Sequence, residues 1–190
     1  MEALEKRILT DGRILPGGIL KVDGFLNHRI DPQLSYAMAE ELKSLYQGEN
    51  INKILTIEAS GIAMACMTAY VFRCPLVFAK KSRSRNISDN VWATEIESFT
   101  HGNTNRVVVS KEYLGKGDRI LIIDDFLATG AALRGLRNLS EQAGAVVVGA
   151  GIAIEKVFQG GGNELRAEGM RIESLARIAA MTDSGIEFAR

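Results

Sequence analysis

Cysteine and histidine are scarce in this chain, and no charge of one sign prevails. Cys66 and Cys74 are the two cysteines, neither in a CxxC pair nor beside a histidine, and His28 and His101 are far apart. That spacing gives no support to a zinc site, and the sparse thiols read as the reduced thiols of a cytosolic protein. Lys+Arg and Asp+Glu both number 23, so the basic surplus with which a general nucleic-acid binder displaces counterions is missing. No stretch approaches the roughly 18 apolar residues of a membrane span. Residues 1–10 are charged and carry no apolar core of a signal peptide.

Apolar material is ample at 46% of 190 residues, enough for the core of one ordinary domain. The start of the chain reads as a short amphipathic helix with Leu4, Ile8 and Leu9 on one side. Residues 11–27 interleave glycines and Pro16 with apolar pairs, which predicts short extended pieces joined by turns. Asp31-Pro32 has the form of a helix start, and Leu34, Met38, Leu42 and Leu45 continue a helical stripe to Gly48. The rhythm then becomes strand, turn, helix. Strands are predicted at 54–57, 75–79, 106–110, 119–123 and 145–154, with helices at 62–72 and 131–143. Apolar strands alternating with helices predict an α/β fold with a mostly parallel central sheet flanked by helices. Gly160-Gly161-Gly162 reads as a plain turn. Residues 80–105 are polar, rich in Ser, Asn and Thr, and contain the single tryptophan, Trp92. A stretch of this kind predicts a structureless functional lid over 82–105.

The sharpest pattern is ILIIDDFLATGAA at 120–132. Four apolar residues form a strand, Asp124 and Asp125 stand at its carboxyl end, and a loop of small residues leads into a helix. Open α/β sheets bind ligands at the carboxyl ends of their strands. A helix N-terminus offers free N–H groups and a positive dipole end to an anion. Gly130 permits close approach and Thr129 adds a hydroxyl, so the loop suits a phosphate monoester. The two acids repel phosphate, but beside it they suit hydroxyl donors or magnesium. A phosphate with neighbouring vicinal hydroxyls is a ribose 5-phosphate. The plainer reading is a capped turn with two solvated acids. No GxxxxGK[ST] or GxGxxG motif occurs.

This segment resembles the phosphoribosyl-diphosphate (PRPP) signature of the type I phosphoribosyltransferases. The stretch LEKRILTDGRILPGGILKVDGFLNHRIDP, the EASGI turn and IEKVFQGGG extend the likeness across the chain, to the bacterial xanthine phosphoribosyltransferases of the kind found in bacilli. The resemblance implies a single phosphoribosyltransferase domain over 1–190, with residues 1–35 contributing to a small base-binding hood. It implies transfer of the 5-phosphoribosyl group from PRPP to N9 of xanthine in purine salvage, with release of pyrophosphate, in a cytoplasmic homodimer. It places Ala128, Thr129, Gly130, Ala131 and Ala132 at the 5-phosphate, Asp124 and Asp125 at the ribose hydroxyls, and Glu58, Ala59, Ser60 and Gly61 at pyrophosphate. Leu20, Asn27 and Lys156 are implied to contact the base, and Phe126 is a candidate to stack on it or to be core.

Xanthine has carbonyl oxygens at positions 2 and 6, so donors such as a lysine ammonium suit it. Lys81 and Arg83 are candidates to clamp pyrophosphate, with Mg²⁺ held mainly by PRPP and water. Three alternatives stand beside this reading: an enzyme for guanine/hypoxanthine or adenine, a non-enzymatic PRPP sensor, and an inert interaction domain.

Overall fold

The computed structural model describes residues 1–82, 90–97, 104–182 and 185–189. Its centre is an eight-stranded sheet in the order β10-β9-β8-β7-β3-β4-β6-β5. The strands are β3 (Lys53–Ile57), β4 (Leu76–Ser82), β5 (Val91–Glu97), β6 (Thr104–Ser110), β7 (Arg119–Leu127), β8 (Val146–Lys156), β9 (Ile172–Thr182) and β10 (Gly185–Phe188). The middle five, β9-β8-β7-β3-β4, are parallel, and both flanks are antiparallel. Ile120–Ile123 of β7 are fully buried, as expected for a strand covered on both faces.

Two cores sandwich the sheet. One face carries α2 (Pro32–Leu45), α3 (Gly61–Phe72) and the N-terminal segment, with Leu4, Ile8, Phe25, Met38 and Leu42 in one apolar cluster. The other carries α4 (Ala131–Gln142) and α5 (Gly161–Ala167), with Leu133, Leu136, Leu139 and Leu165 in a second. α2 begins as its sequence predicts: Asp31 caps it by accepting from the N–H groups of Gln33 and Leu34, both at 3.1 Å. Its inward stripe is Ser35, Met38, Ala39 and Leu42, and Leu45 is exposed. The N-terminal segment combines α1 (Glu2–Asp11) with the hairpin β1 (Arg13–Leu15) and β2 (Ile19–Lys21). Asp23–Asn27 form a π-helical turn rather than an extended piece, because Phe25 and Leu26 both turn into the core.

Three expectations are corrected. The polar stretch 82–105 is not structureless throughout: β5 lies inside it and pairs with β6 from Val91↔Ser110 to Glu97↔Thr104. Thr94 and Ile96 face Gly135 of α4, where a side chain would collide with Ile96, and the Trp92 indole N–H donates to the Leu114 carbonyl at 2.9 Å. Short apolar contacts against α4 and a complete ladder outweigh the polar composition. The rest of the expected lid, with Arg83, lies outside the described residues. Second, Gly160-Gly161-Gly162 is no plain turn; it opens α5, whose first N–H, on Gly161, donates to the Ala128 carbonyl at 3.2 Å. Third, β7 does not stop at Ile123 but runs through the acids to Leu127, since β8 continues to pair beside it.

Ile96 is the anchor of the β5–β6 hairpin on α4. Ile96→Ala should destabilise the fold by about 2–5 kcal/mol, the range for emptying a buried isoleucine site, measured by denaturant unfolding.

Candidate active site

At the carboxyl edge of the parallel strands, β3 and β7 diverge into loops that enclose a cleft of about 210 Å³. Its walls include Glu58, Ser60 and Lys81 on one side and residues Asp124 to Leu133 on the other. Asp124 and Asp125 are only 5% and 6% exposed. The Asp125 carboxylate accepts from Ser60 Oγ at 3.0 Å and from Asn27 Nδ2 at 3.2 Å. Asp124 Oδ1 accepts the Asp125 N–H at 3.0 Å. Burial, reinforced by the neighbouring Asp125 charge, pushes the Asp124 carboxyl well above the ordinary carboxylate range, against a smaller opposing pull from Lys81. The site therefore holds two adjacent buried acids, with Asp124 biased toward its neutral form.

α3 reaches this close because its first residue has no side chain. A Cβ on Gly61 would sit 2.4 Å from Thr56 Oγ1 and 3.1 Å from Asp124 Oδ1. The preceding Glu58–Ala59 peptide is cis, and Glu58 Oε1 accepts the Lys81 N–H at 2.6 Å. The turn after β3 is thus tied to β4, which puts the exposed Lys81 side chain at the cleft.

Across the cleft, Ala128 to Gly130 lead into α4. Gly130 has φ +83° at the N-cap, a left-handed conformation glycine adopts without strain. The first turn of α4 presents N–H groups with no helical partner and the positive end of the helix dipole. An anion seated there needs no cationic side chain.

The cleft thus gathers Glu58, Ser60, Lys81, Asp124, Asp125, Phe126, Ala128, Thr129, Gly130, Ala131 and Ala132. The sequence-predicted base residues relate to it differently. Asn27 is joined through Asp125. Lys156 Nζ stands 5.7 Å from the centre of the Phe126 ring and donates to the Gly18 carbonyl of the β1–β2 turn at 3.2 Å. Burial lowers the pKa of this ammonium. Leu20 does not line the cleft; it is packed in the core beneath the hairpin. Sequence reasoning missed Arg134 and Gly161, which contact the loop from behind; the glycine triplet was the available signal. Among the described residues no three His, Cys, Asp or Glu side chains gather as a closed metal cage. Two buried carboxylates at the cleft instead fit a magnesium ion that takes most of its ligands from substrate oxygens and water.

Residues 29–160 match the phosphoribosyl transferase domain family. The chain belongs to the type I phosphoribosyltransferase family. It is 54% identical to a xanthine phosphoribosyltransferase of Finegoldia magna, over 99% of both chains. It is 46% identical to one from Bacillus cereus, over 100% of this chain and 96% of the relative. In fold it is similar to an adenine phosphoribosyltransferase from Thermoanaerobacter pseudethanolicus (TM-score 0.74, 23% identity, covering 92% of this chain and 99% of the other). It is also similar to the Trypanosoma brucei adenine enzyme solved with AMP, pyrophosphate and ribose-5-phosphate (TM-score 0.77, 17% identity, 97% and 81% covered).

A carboxyl whose pKa is raised on folding binds its proton more tightly in the native state, so its unfavourable contribution grows as pH rises from the unfolded value through the folded one. Asp124→Asn removes that burden. The thermal stability of the variant relative to wild type should therefore increase as pH is raised from about 4, the ordinary carboxylate pKa, toward neutrality, read by melting curves across pH.

Proposed function

We propose that this chain transfers the 5-phosphoribosyl group of PRPP to N9 of xanthine, forming xanthosine 5′-monophosphate and pyrophosphate in purine salvage. The observation that carries the reading is the union of two features in one cleft: buried paired acids near the end of β7 and the N-terminus of α4, which begins at Ala131. A sugar bearing both a diol and a terminal phosphate satisfies both.

The reaction breaks the C1–O bond to pyrophosphate and makes a C1–N9 bond, while N9 loses its proton. Positive charge develops on the ribose ring and negative charge on the leaving group. The protein's part is to position and to stabilise charge. The backbone of Ala128 to Ala132 grips the 5-phosphate, and Asp124 and Asp125 hold the ribose hydroxyls near the developing cation. Glu58 to Gly61 receive pyrophosphate through backbone amides, with Lys81 alongside. Magnesium, held mainly by PRPP oxygens and water, would offset the charge of the leaving group. A homodimer and a cytoplasmic setting are part of this reading.

Selectivity for xanthine falls to Lys156 and Asn27, with Phe126 against the purine face. A lysine ammonium donates and never accepts. It suits the carbonyl oxygens of xanthine and meets the exocyclic amine of adenine poorly.

The test is pyrophosphate release with PRPP, Mg²⁺ and each of xanthine, guanine, hypoxanthine and adenine. Xanthine should be the preferred base, and Lys156→Gln should lower kcat/KM for xanthine by at least about tenfold, ~1.4 kcal/mol, more than for hypoxanthine or guanine. Equal losses on all bases would remove Lys156 from recognition. An absence of turnover on every purine would leave a PRPP-binding regulator instead.

A further inference from the structure

The phosphate loop has two carbonyls tied down on the side away from the cleft. Ala128 C=O accepts the Gly161 N–H at 3.2 Å, and Thr129 C=O accepts Arg134 Nη1 at 2.9 Å. In a trans peptide the C=O and N–H of one unit point in opposite directions. The only cis bond among the described residues is Glu58–Ala59. Fixing the Ala128 carbonyl therefore aims the Thr129 N–H away from Gly161, and fixing the Thr129 carbonyl aims the Gly130 N–H away from the Arg134 guanidinium.

Neither tie is incidental. A Cβ on Gly161 would lie 2.2 Å from the Thr129 carbonyl carbon, 2.5 Å from the Ala128 oxygen and 2.5 Å from the Gly130 nitrogen. All three are backbone atoms of the loop, which would have to move. Arg134 is itself held by α5 and the turn after it, through Glu164 at 2.9 Å and Glu168 at 3.0 Å. α5 is in turn locked to the sheet by Arg166, which grips the buried Glu155 of β8 with two hydrogen bonds of 2.6 and 2.7 Å.

We propose that Gly161 and Arg134 are positioning residues for phosphate recognition: they fix the Ala128–Thr129 and Thr129–Gly130 peptides so that their N–H groups converge on the terminal phosphate of the ribosyl substrate. The inference rests on the 5-phosphate occupying residues 128–132. It makes α5 part of how that phosphate is held. A charged side chain at the loop is unnecessary because the backbone is set from behind.

The experiment compares wild type, Gly161→Ala, Arg134→Met and Gly160→Ala. Gly160 is the control: it opens the same helix with φ +82° but its Cβ would meet nothing nearer than Glu164 Oε1 at 3.8 Å. Calorimetric binding of ribose 5-phosphate and steady-state kinetics are measured for each. Gly161→Ala and Arg134→Met should each weaken ribose 5-phosphate binding and raise KM for PRPP by about fivefold or more, with KM for xanthine within about twofold. Gly160→Ala should lower the melting temperature and leave both phosphate readouts near wild type. If Gly161→Ala fails to fold, Arg134→Met carries the comparison alone. Unchanged ribose 5-phosphate binding in the folded variants would overturn the proposal, as would equal losses for PRPP and xanthine. A wild-type protein that itself ignores ribose 5-phosphate would instead overturn the placement of the phosphate.

Discussion

Two carboxylates side by side at the buried end of a hydrophobic strand are the constraint around which this molecule is arranged. Left alone, such a pair is costly, because low dielectric and mutual repulsion both oppose charge. Each neighbour can be understood as a response. Ser60 and Asn27 bring donors to Asp125. Asp124 is pushed toward its neutral form. Gly61 lets the start of α3 close over the pair. The residues that relieve this repulsion come from the N-terminal segment, from the turn after β3 and from β7 itself. The acids therefore link the regions assigned to base, pyrophosphate and ribose.

The opposite wall of the cleft solves a complementary problem. In the proposed function, a dianionic phosphate is held a few residues from two acids without a cation that those acids would capture. Backbone N–H groups at the start of α4 meet that need, since they attract an anion and form no salt bridge with Asp124 or Asp125. The Arg134 guanidinium behind the loop is engaged with a loop carbonyl and with Glu164 and Glu168. Its charge is spent behind the loop and not within the cleft.

Much of this was legible in the chain because it is local. Residues 120–132 place strand, acids, small-residue loop and helix in one continuous segment, so periodicity and residue chemistry suffice to read them. The β3–turn–α3 unit and the Asp31 cap were readable for the same reason. What escaped was set by contacts distant in sequence. β5 looks like loop by composition and becomes a strand because Ile96 finds Gly135 on α4. The glycine triplet looks like a turn, since α5 has only 7 residues and no side-chain cap; its meaning lies in how closely Gly161 approaches Ala128 to Gly130.

The central claim is that one cleft holds a sugar's terminal phosphate on backbone amides and its diol on buried acids. A crystal structure with xanthosine 5′-monophosphate bound addresses it directly. The account predicts the phosphate against the N–H groups of residues 129–132 and the ribose hydroxyls within hydrogen-bonding distance of Asp124 and Asp125. A nucleotide bound with its phosphate elsewhere, or with those acids facing no sugar oxygen, would contradict it.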